Sequence, residues 1–144
     1  MITADLSKLE LSEFTGKNRP TQHCRATFPI LEAVGSEDTA MVYFELDEGK
    51  NLGQHTDSAE EILLILEGKV EVKIGDERRI VNAGSIALVP TMVPHDLKNV
   101  GQGKVRVAGI FGRNNITATF DIPWAELNSN VVSTAEMTKQ TAQA

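Results

Sequence analysis

Short runs of apolar residues, each closed by turn-forming residues, cover most of the chain from Arg25 onward. Examples are TAMVYFEL before DEGKN, VEVKI before GDE and KVRVAGIF before GRNN. Runs of this length that recur roughly every 8–12 residues are typical of an all-β sandwich or barrel. The pattern predicts an N-terminal segment over residues 1–24, a β-barrel over 25–124 and a polar tail over 125–144. The tail is predicted to be a short helix, an arm that straps a partner, or disordered.

Alternation within the runs predicts which side chains face the interior, because successive residues of a strand point to opposite faces. In MVYFELD, Phe44 is predicted to face inward and Tyr43 outward. The run EILLIL over residues 61–66 is apolar on both faces, so it lies at the centre of a sandwich or beneath a second subunit. A two-fold homodimer is the expected cover for these outward side chains, and the N-terminal segment is the alternative. The outward residues that need cover are Ile62, Leu64, Leu66, Ala108 and Ile110.

Composition and charge exclude several classes of protein. A length of 144 residues suits one domain. The net charge of −6 argues against a nucleic-acid or anionic-membrane partner, since both need clustered positive charge. The single cysteine, Cys24, excludes an intramolecular disulfide and is expected to be a small buried hydrophobe. No apolar run is long enough to cross a membrane and the first 20 residues have no signal-peptide core, so a cytoplasmic protein is expected.

Candidate chemistry is concentrated in two segments that hold two of the three histidines. The first, GKNLGQHTDSAEEILLILEG over residues 49–68, carries His55, Asp57 and Glu61. Residues two apart share one face of a strand, so His55 and Asp57 face together, and a turn over 58–60 can return Glu61 beside them. The second, GSIALVPTMVPHDLKN over residues 84–99, carries His95. His23 lies outside both segments and is expected to be a surface or structural residue.

The two segments resemble the paired motifs of the cupin superfamily. The resemblance implies a small single-domain cupin, with an all-β jelly-roll barrel of the double-stranded β-helix type. Two positions depart from the motifs, because Asp57 stands where the first motif has its second histidine and Met92 stands where the second motif has a glycine. The positions that fall on the motifs in register are Gly49, His55, Glu61, Gly68, Gly84, Pro90, His95 and Asn99.

The resemblance also implies a metal site formed by His55, Asp57, Glu61 and His95. Two imidazoles and a carboxylate suit a divalent transition metal such as Fe, Mn, Zn or Ni. Asp57 is either a direct ligand, which would favour Mn²⁺ or Fe²⁺, or a residue that holds a bound water or orients a histidine. The alternative for the whole set is a metal-free cupin in which the histidines are buried and hydrogen-bonded.

Side-chain parity predicts an apolar pocket around these residues. No Lys or Arg has inward parity on the relevant strands, although a phosphate or polycarboxylate ligand normally needs one. The pocket therefore favours a neutral or aromatic small molecule. Phe120 and Trp124 are expected to seal the barrel or a subunit contact rather than bind substrate. The predicted lining residues are Phe44, Leu63, Ile65, Met92, Leu97, Val107 and Phe111.

Two classes of function are compatible with the resemblance. The first is a metal-dependent enzyme of dioxygenase, cyclase or isomerase type. The second is a non-enzymatic small-ligand-binding or sensor cupin with a structural metal or none. A weaker third possibility is a structural dimer subunit without chemistry of its own. The fold does not choose among them, because one fold hosts many functions.

Overall fold

The computed structural model describes residues 1–137, and nearly all of its regular structure is β-strand. This confirms the predicted all-β class. The remaining regular elements are two 3₁₀ segments, Glu32–Val34 and Thr134–Glu136. Within residues 1–137 there is no helix that combines the length and the hydropathy needed to span a membrane. The strands are β1 (Ser12–Gly16), β2 (Arg19–Ile30), β3 (Ala40–Leu46), β4 (His55–Asp57), β5 (Glu61–Glu67), β6 (Lys69–Ile74), β7 (Glu77–Asn82), β8 (Ile86–Val89), β9 (His95–Asn99), β10 (Val105–Phe111), β11 (Thr117–Trp124) and β12 (Ser129–Ser133).

The strands form one antiparallel sheet that curls into a half-barrel, as expected for a cupin-like jelly roll. The order across the sheet is β7-β6-β9-β4-β11-β1-β2-β3-β10-β5-β8, and β12 pairs with β11 outside this path. Most neighbours in the sheet are distant in sequence, so the hydrogen bonds between strands join remote parts of the chain. The three-residue strand β4 lies between β9 and β11, which places one histidine segment beside the other.

Both ends of the chain extend the sheet beyond the barrel bounds suggested by the sequence. In the N-terminal segment, β1 pairs with β2 and β11, and β2 itself begins at Arg19. In the polar tail, β12 pairs with β11, and residues 138–144 lie outside the described residues. Alternation alone gave little warning of β1 and β12, because both are short and polar and are held by a partner strand far along the chain.

The two faces of the sheet separate buried from exposed apolar residues. Phe44, predicted to face inward, is buried in the core. On the outer face Ile62 lies opposite Leu88 on β8 and Ile110 on β10, and all three side chains are exposed. Tyr43 is on the outer face as predicted but is only 1% exposed. Its hydroxyl bonds Glu45 at 2.6 Å and the Arg106 guanidinium lies over its ring, so charged neighbours rather than water surround it.

Candidate metal centre and cavity

Strand pairing brings the two histidine segments together inside the half-barrel. His55 on β4 is the register partner of His95 on β9, and the two ring centroids are 4.1 Å apart. Asp57 follows His55 by two residues and shares its face of β4. Glu61 is the first residue of β5, reached through the turn between the two strands. All four side chains are buried, so the four candidates of the sequence meet in one interior cluster.

Backbone carbonyls set the orientation of both imidazoles. His55 donates from Nδ1 to the carbonyl of Gly53 at 2.8 Å, and His95 donates from Nδ1 to the carbonyl of Val93 at 2.9 Å. A carbonyl oxygen only accepts hydrogen bonds, so the proton of each neutral ring lies on Nδ1. In the neutral form of each ring, Nε2 therefore presents its lone pair to the cluster, as a metal ligand requires.

Asp57 lies between the two imidazoles. Its Oδ2 is 3.1 Å from His95 Nε2 and 3.7 Å from His55 Nε2. One ligand atom from each of these three residues falls within 4.8 Å of the others. Glu61 is outside this triad but reaches His95, with Oε1 at 3.5 Å from Nε2. The structure thus groups Asp57, the position that departs from the cupin motif, more closely with the histidines than it groups Glu61.

Two atoms of this cluster are buried without a hydrogen-bond partner among the described residues. They are Asp57 Oδ2 and His95 Nε2, which lie 3.1 Å apart as an ion pair but not in hydrogen-bond geometry. Leaving a buried polar atom unsatisfied costs roughly 1–3 kcal/mol. A divalent cation satisfies both atoms at once, and nitrogen and carboxylate donors suit Fe, Mn, Zn or Ni. The donor set therefore fits a metal.

Burial and mutual contact shift the pKa values of the cluster. Burial, aided by the charge of His95, lowers the pKa of His55 to about 4. Burial raises the pKa of Glu61 to about 7, with the Asp57 carboxylate acting in the same direction. Burial alone would lower the pKa of His95, but the carboxylates of Asp57 and Glu61 raise it to about 10. At neutral pH His55 is thus ready to coordinate, whereas a cation competes with a proton at His95.

The cluster opens into an apolar cavity of about 540 Å³. Among the described residues, the lining includes all five phenylalanines and the single tryptophan of the chain and contains no Lys or Arg. Phe120 stacks on the His55 ring, with centroids 4.4 Å apart at 20°, and Trp124 meets Phe120 edge-on at 5.1 Å. The cavity is lined by Ser12, Phe14, Cys24, Ala26, Thr27, Phe28, Val42, Phe44, Leu52, His55, Asp57, Glu61, Leu63, His95, Leu97, Phe111, Ile116, Ala118, Phe120, Trp124, Leu127, Ser129, Val131, Val132, Ser133, Glu136 and Met137.

A family model described as "Cupin domain" matches residues 42–111, which include every residue of the cluster. The chain therefore contains a cupin domain over residues 42–111. No curated protein matches it by sequence.

Solved cupin structures share its fold at low sequence identity. A proposed sugar phosphate isomerase from Acidithiobacillus ferrooxidans is 17% identical with a TM-score of 0.66, over 95% of this chain and 94% of that one. A predicted oxalate decarboxylase from Thermotoga maritima is also 17% identical with a TM-score of 0.66, over 77% of this chain and 98% of that one. The oxalate decarboxylase of Lactobacillus farciminis is 16% identical with a TM-score of 0.65, over 76% of this chain, which spans 32% of that longer protein. At these identities the likeness concerns the fold.

Four of the seven residues predicted to line the pocket do line the cavity. Phe44, Leu63, Leu97 and Phe111 line it. Ile65 and Val107 are buried in the core but outside the lining, because they lie further along β5 and β10 from the cluster. Met92 is not in the lining either and is 57% exposed. Its φ of 63° is the left-handed conformation that the motif glycine would adopt freely, and it turns the Met92 side chain towards solvent.

Sequence reasoning missed the part of the cavity formed outside the cupin motifs. Phe14, Phe28 and the segment 127–137 contribute lining residues that no motif indicated. Phe120 and Trp124, expected to seal the barrel, do line the cavity, and Phe120 reaches His55 directly. The available signal was parity: Phe120 and Trp124 lie four residues apart on β11, so both side chains point to the same face. Cys24 is buried in the same wall, and His23 instead pairs with Glu13 at 2.6 Å.

Proposed function

We propose that this cupin-domain protein is a metal-dependent enzyme of dioxygenase, cyclase or isomerase type that acts on a neutral or aromatic small molecule. The observation that carries the proposal is the buried pair of unsatisfied atoms, Asp57 Oδ2 and His95 Nε2, beside His55 at the wall of an aromatic cavity. His55, Asp57 and His95 would hold the metal, and Glu61 would complete or adjoin its coordination. Fe, Mn, Zn and Ni all suit this donor set.

The proposed activity needs different roles from the metal, the side chains of the cluster and the cavity walls. A bound divalent metal would supply a Lewis acid and template, and with iron also a site for O₂. A Glu61 that adjoins the metal without ligating it is suited to accept a proton from a bound substrate, because burial raises its pKa to about 7 in the metal-free protein. Gly53 and Val93 keep both imidazoles in the ligating tautomer. The apolar walls exclude water, which strengthens electrostatic interactions in the cluster.

The lining argues for the substrate class. Among residues 1–137 the ionisable groups of the cavity are the cluster itself, Cys24 and the exposed carboxylate of Glu136, so no Lys or Arg there balances an anionic ligand. Aromatic walls favour rings, through stacking and edge contacts. We therefore place a neutral or aromatic molecule, with an oxygen that can bind metal, ahead of oxalate or a sugar phosphate, which are named for the structural neighbours.

A non-enzymatic ligand-binding or sensor cupin is the second candidate. The feature that favours it is that, among residues 1–137, few proton-transfer groups line the cavity beyond the cluster. In that case the metal would be structural or absent, and the cavity would bind its ligand without turnover.

Metal analysis followed by a ligand panel tests the proposal. Untagged protein purified without chelator is analysed for metals, then reconstituted with Fe²⁺, Mn²⁺, Zn²⁺ and Ni²⁺. Thermal unfolding of the loaded protein is measured with catechol and acetylacetone, and with oxalate and glucose 6-phosphate as controls. We expect near-stoichiometric metal, a higher unfolding midpoint with the neutral oxygen ligands only, and O₂ uptake if the metal is iron. No metal after reconstitution would refute the enzyme, and stabilisation without turnover would favour the sensor.

We also propose that the protein is a homodimer joined through the outer face of β8, β5 and β10. Four apolar side chains on this face are exposed in the single chain. Sedimentation velocity should give a dimer for wild type and a monomer for Leu88→Glu. Ile80→Glu, on β7 at the opposite edge of the sheet, is the control and should stay dimeric. The four residues are Ile62, Ile86, Leu88 and Ile110.

A further inference from the structure

The loop before β4 holds His55 through its backbone, and one side chain of β9 holds that loop. Gly53 accepts the hydrogen bond of His55 Nδ1 on its carbonyl. The amide of the same Gly53 donates to Asp96 Oδ1 at 2.8 Å. Asn51 donates from Nδ2 to the other oxygen, Asp96 Oδ2, at 3.1 Å. Asp96 thus connects β9 to the orientation of the imidazole on β4.

Gly53 is confined from the opposite side as well. Its φ is +103°, and a Cβ built on it would lie 2.5 Å from Gln22 Oε1. Gln22 is buried and donates to the carbonyl of Ile122 at 3.1 Å, so its amide has little freedom to move away. Gly53 therefore lies between Gln22 and Asp96, and no larger residue fits there.

The two histidines differ in how firmly strand pairing holds them. β9 carries His95 and pairs with β6 over five registered positions. β4 is only three residues long, pairs with β11 over those three residues and meets β9 in the single pair His55–His95. The loop before it bonds β9 through the backbone as far as Leu52, whose amide donates to the Leu97 carbonyl at 2.9 Å. Between the Leu52–Leu97 hydrogen bond and the His55–His95 pair, the contact with Asp96 is the restraint that β9 places on Gly53 itself.

We propose that Asp96 is a positioning residue that acts through Gly53 to hold His55 with Nδ1 protonated and Nε2 facing Asp57. The proposal rests on the proposed function in that His55 is taken as a metal ligand. Asp96 faces away from the cavity, so it touches neither the metal position nor the substrate position. Asp96 affects the orientation of the His55 ring before metal binds.

The test compares Asp96→Ala with Asp96→Asn and with the control Lys98→Ala. The replacement amide in Asp96→Asn still offers an oxygen to the Gly53 amide, whereas alanine offers none. Lys98 shares the outer face of β9 with Asp96 and is exposed. Two readouts are used: the Nδ1–H signal of His55 in ¹⁵N-labelled metal-free protein, and the Co²⁺ dissociation constant from competition with a chromophoric chelator.

Asp96→Ala should lose the slowly exchanging Nδ1–H signal and weaken Co²⁺ binding by about 10-fold, the lower end of effects for groups that orient a ligand. Asp96→Asn and Lys98→Ala should keep the signal and stay within about 3-fold of wild type. An unchanged signal in Asp96→Ala overturns the proposal, and so does an Asp96→Asn protein as impaired as Asp96→Ala.

Two further outcomes are distinguishable. If wild type takes no Co²⁺ while the ring signal behaves as expected, the proposed function fails and the positioning role stands. If Asp96→Ala does not fold, as judged by circular dichroism, Asn51→Ala replaces it, because this removes only the donor to Asp96 Oδ2. Asn51→Ala should weaken Co²⁺ binding by about 3-fold, and an affinity equal to that of wild type overturns the proposal.

Discussion

The cavity has two walls of different origin. The motif wall is the lining within residues 42–111, the part of the chain that matches the cupin domain, and it contains His55, Asp57, Glu61 and His95. The flank wall is the lining within residues 12–28 and 116–137, and it contributes four of the six Phe and Trp rings. The difference teaches that the residues of the candidate metal site lie in the part of the chain that matches the cupin domain. The shape of the cavity is largely set by segments outside that match.

The largest expected effect is on the alkylation rate of Cys24, which tests whether the flank wall is closed to water. Burial raises the pKa of the Cys24 thiol from 9.0 to about 12. Only the thiolate is alkylated, so at pH 8 the native protein has roughly 1000-fold less reactive Cys24 than the unfolded chain. Iodoacetamide labelling, followed by mass spectrometry with and without denaturant, should show protection of at least this size.

The pH dependence of the same labelling has a definite sign. Because the native pKa lies above the unfolded one, the rate for native protein should keep rising about tenfold per pH unit after the unfolded chain has levelled off at about pH 10. Cys24→Ser is the blank, since the chain has no other cysteine. Equal rates for native and unfolded protein at pH 8 would contradict a closed flank wall.

The next effect tests the motif wall. Asp57→Ala removes the carboxylate that contacts both imidazoles, so Zn²⁺ or Mn²⁺ affinity should fall by more than about 100-fold, beyond the range for residues that only orient ligands. Affinity is measured by competition with a chelator. Glu60→Ala, an exposed acid in the adjoining turn, should bind as wild type does. A loss of only a few-fold would mean that Asp57 does not coordinate.

A smaller effect concerns the space that Glu61 occupies. A Cβ on Gly109 would lie 2.1 Å from Glu61 Oε2 and 2.9 Å from Val42 Cγ1, so Gly109→Ala must displace the carboxylate. If Glu61 ligates, metal affinity should fall by about 10-fold. Gly112→Ala is the matched control, because a Cβ there meets nothing within 4 Å. In a Glu61→Ala background Gly109→Ala should have no further effect on affinity, and a persistent loss would assign the effect to packing.

The smallest effect concerns the position that departs from the second cupin motif. Met92 has φ 63°, which costs an L-residue about 1–2 kcal/mol, and its side chain is largely exposed. Met92→Gly removes this strain but gives the unfolded chain more freedom, so a net gain of about 0.5–1 kcal/mol is expected. The midpoint temperature of thermal unfolding should rise by roughly 1–4 °C. Val93→Gly, where φ is not positive, should instead lower the midpoint.

The sequence predicted residues of the motif wall better than residues of the flank wall. The motif spacing identified His55, Glu61 and His95 as candidates, and parity placed Phe44, Leu63, Leu97 and Phe111 in the cavity. Met92 could not be placed correctly by parity, because a left-handed residue interrupts the alternation on which parity depends. Phe14 and Phe28 were missed because their strands carry no motif and their alternation is weak.

The sequence by itself determined the all-β class and the interior face of the strongly alternating strands, because a period of two fixes which side chains point together. It also determined the types of donor available to a metal, since those are the residues themselves. Only the tertiary structure decided that Asp57 lies closer to both imidazoles than Glu61 does, and that segments near both ends of the chain complete the cavity. Both findings depend on how remote strands pair. The register of that pairing is set by the whole sheet rather than by any local run of residues.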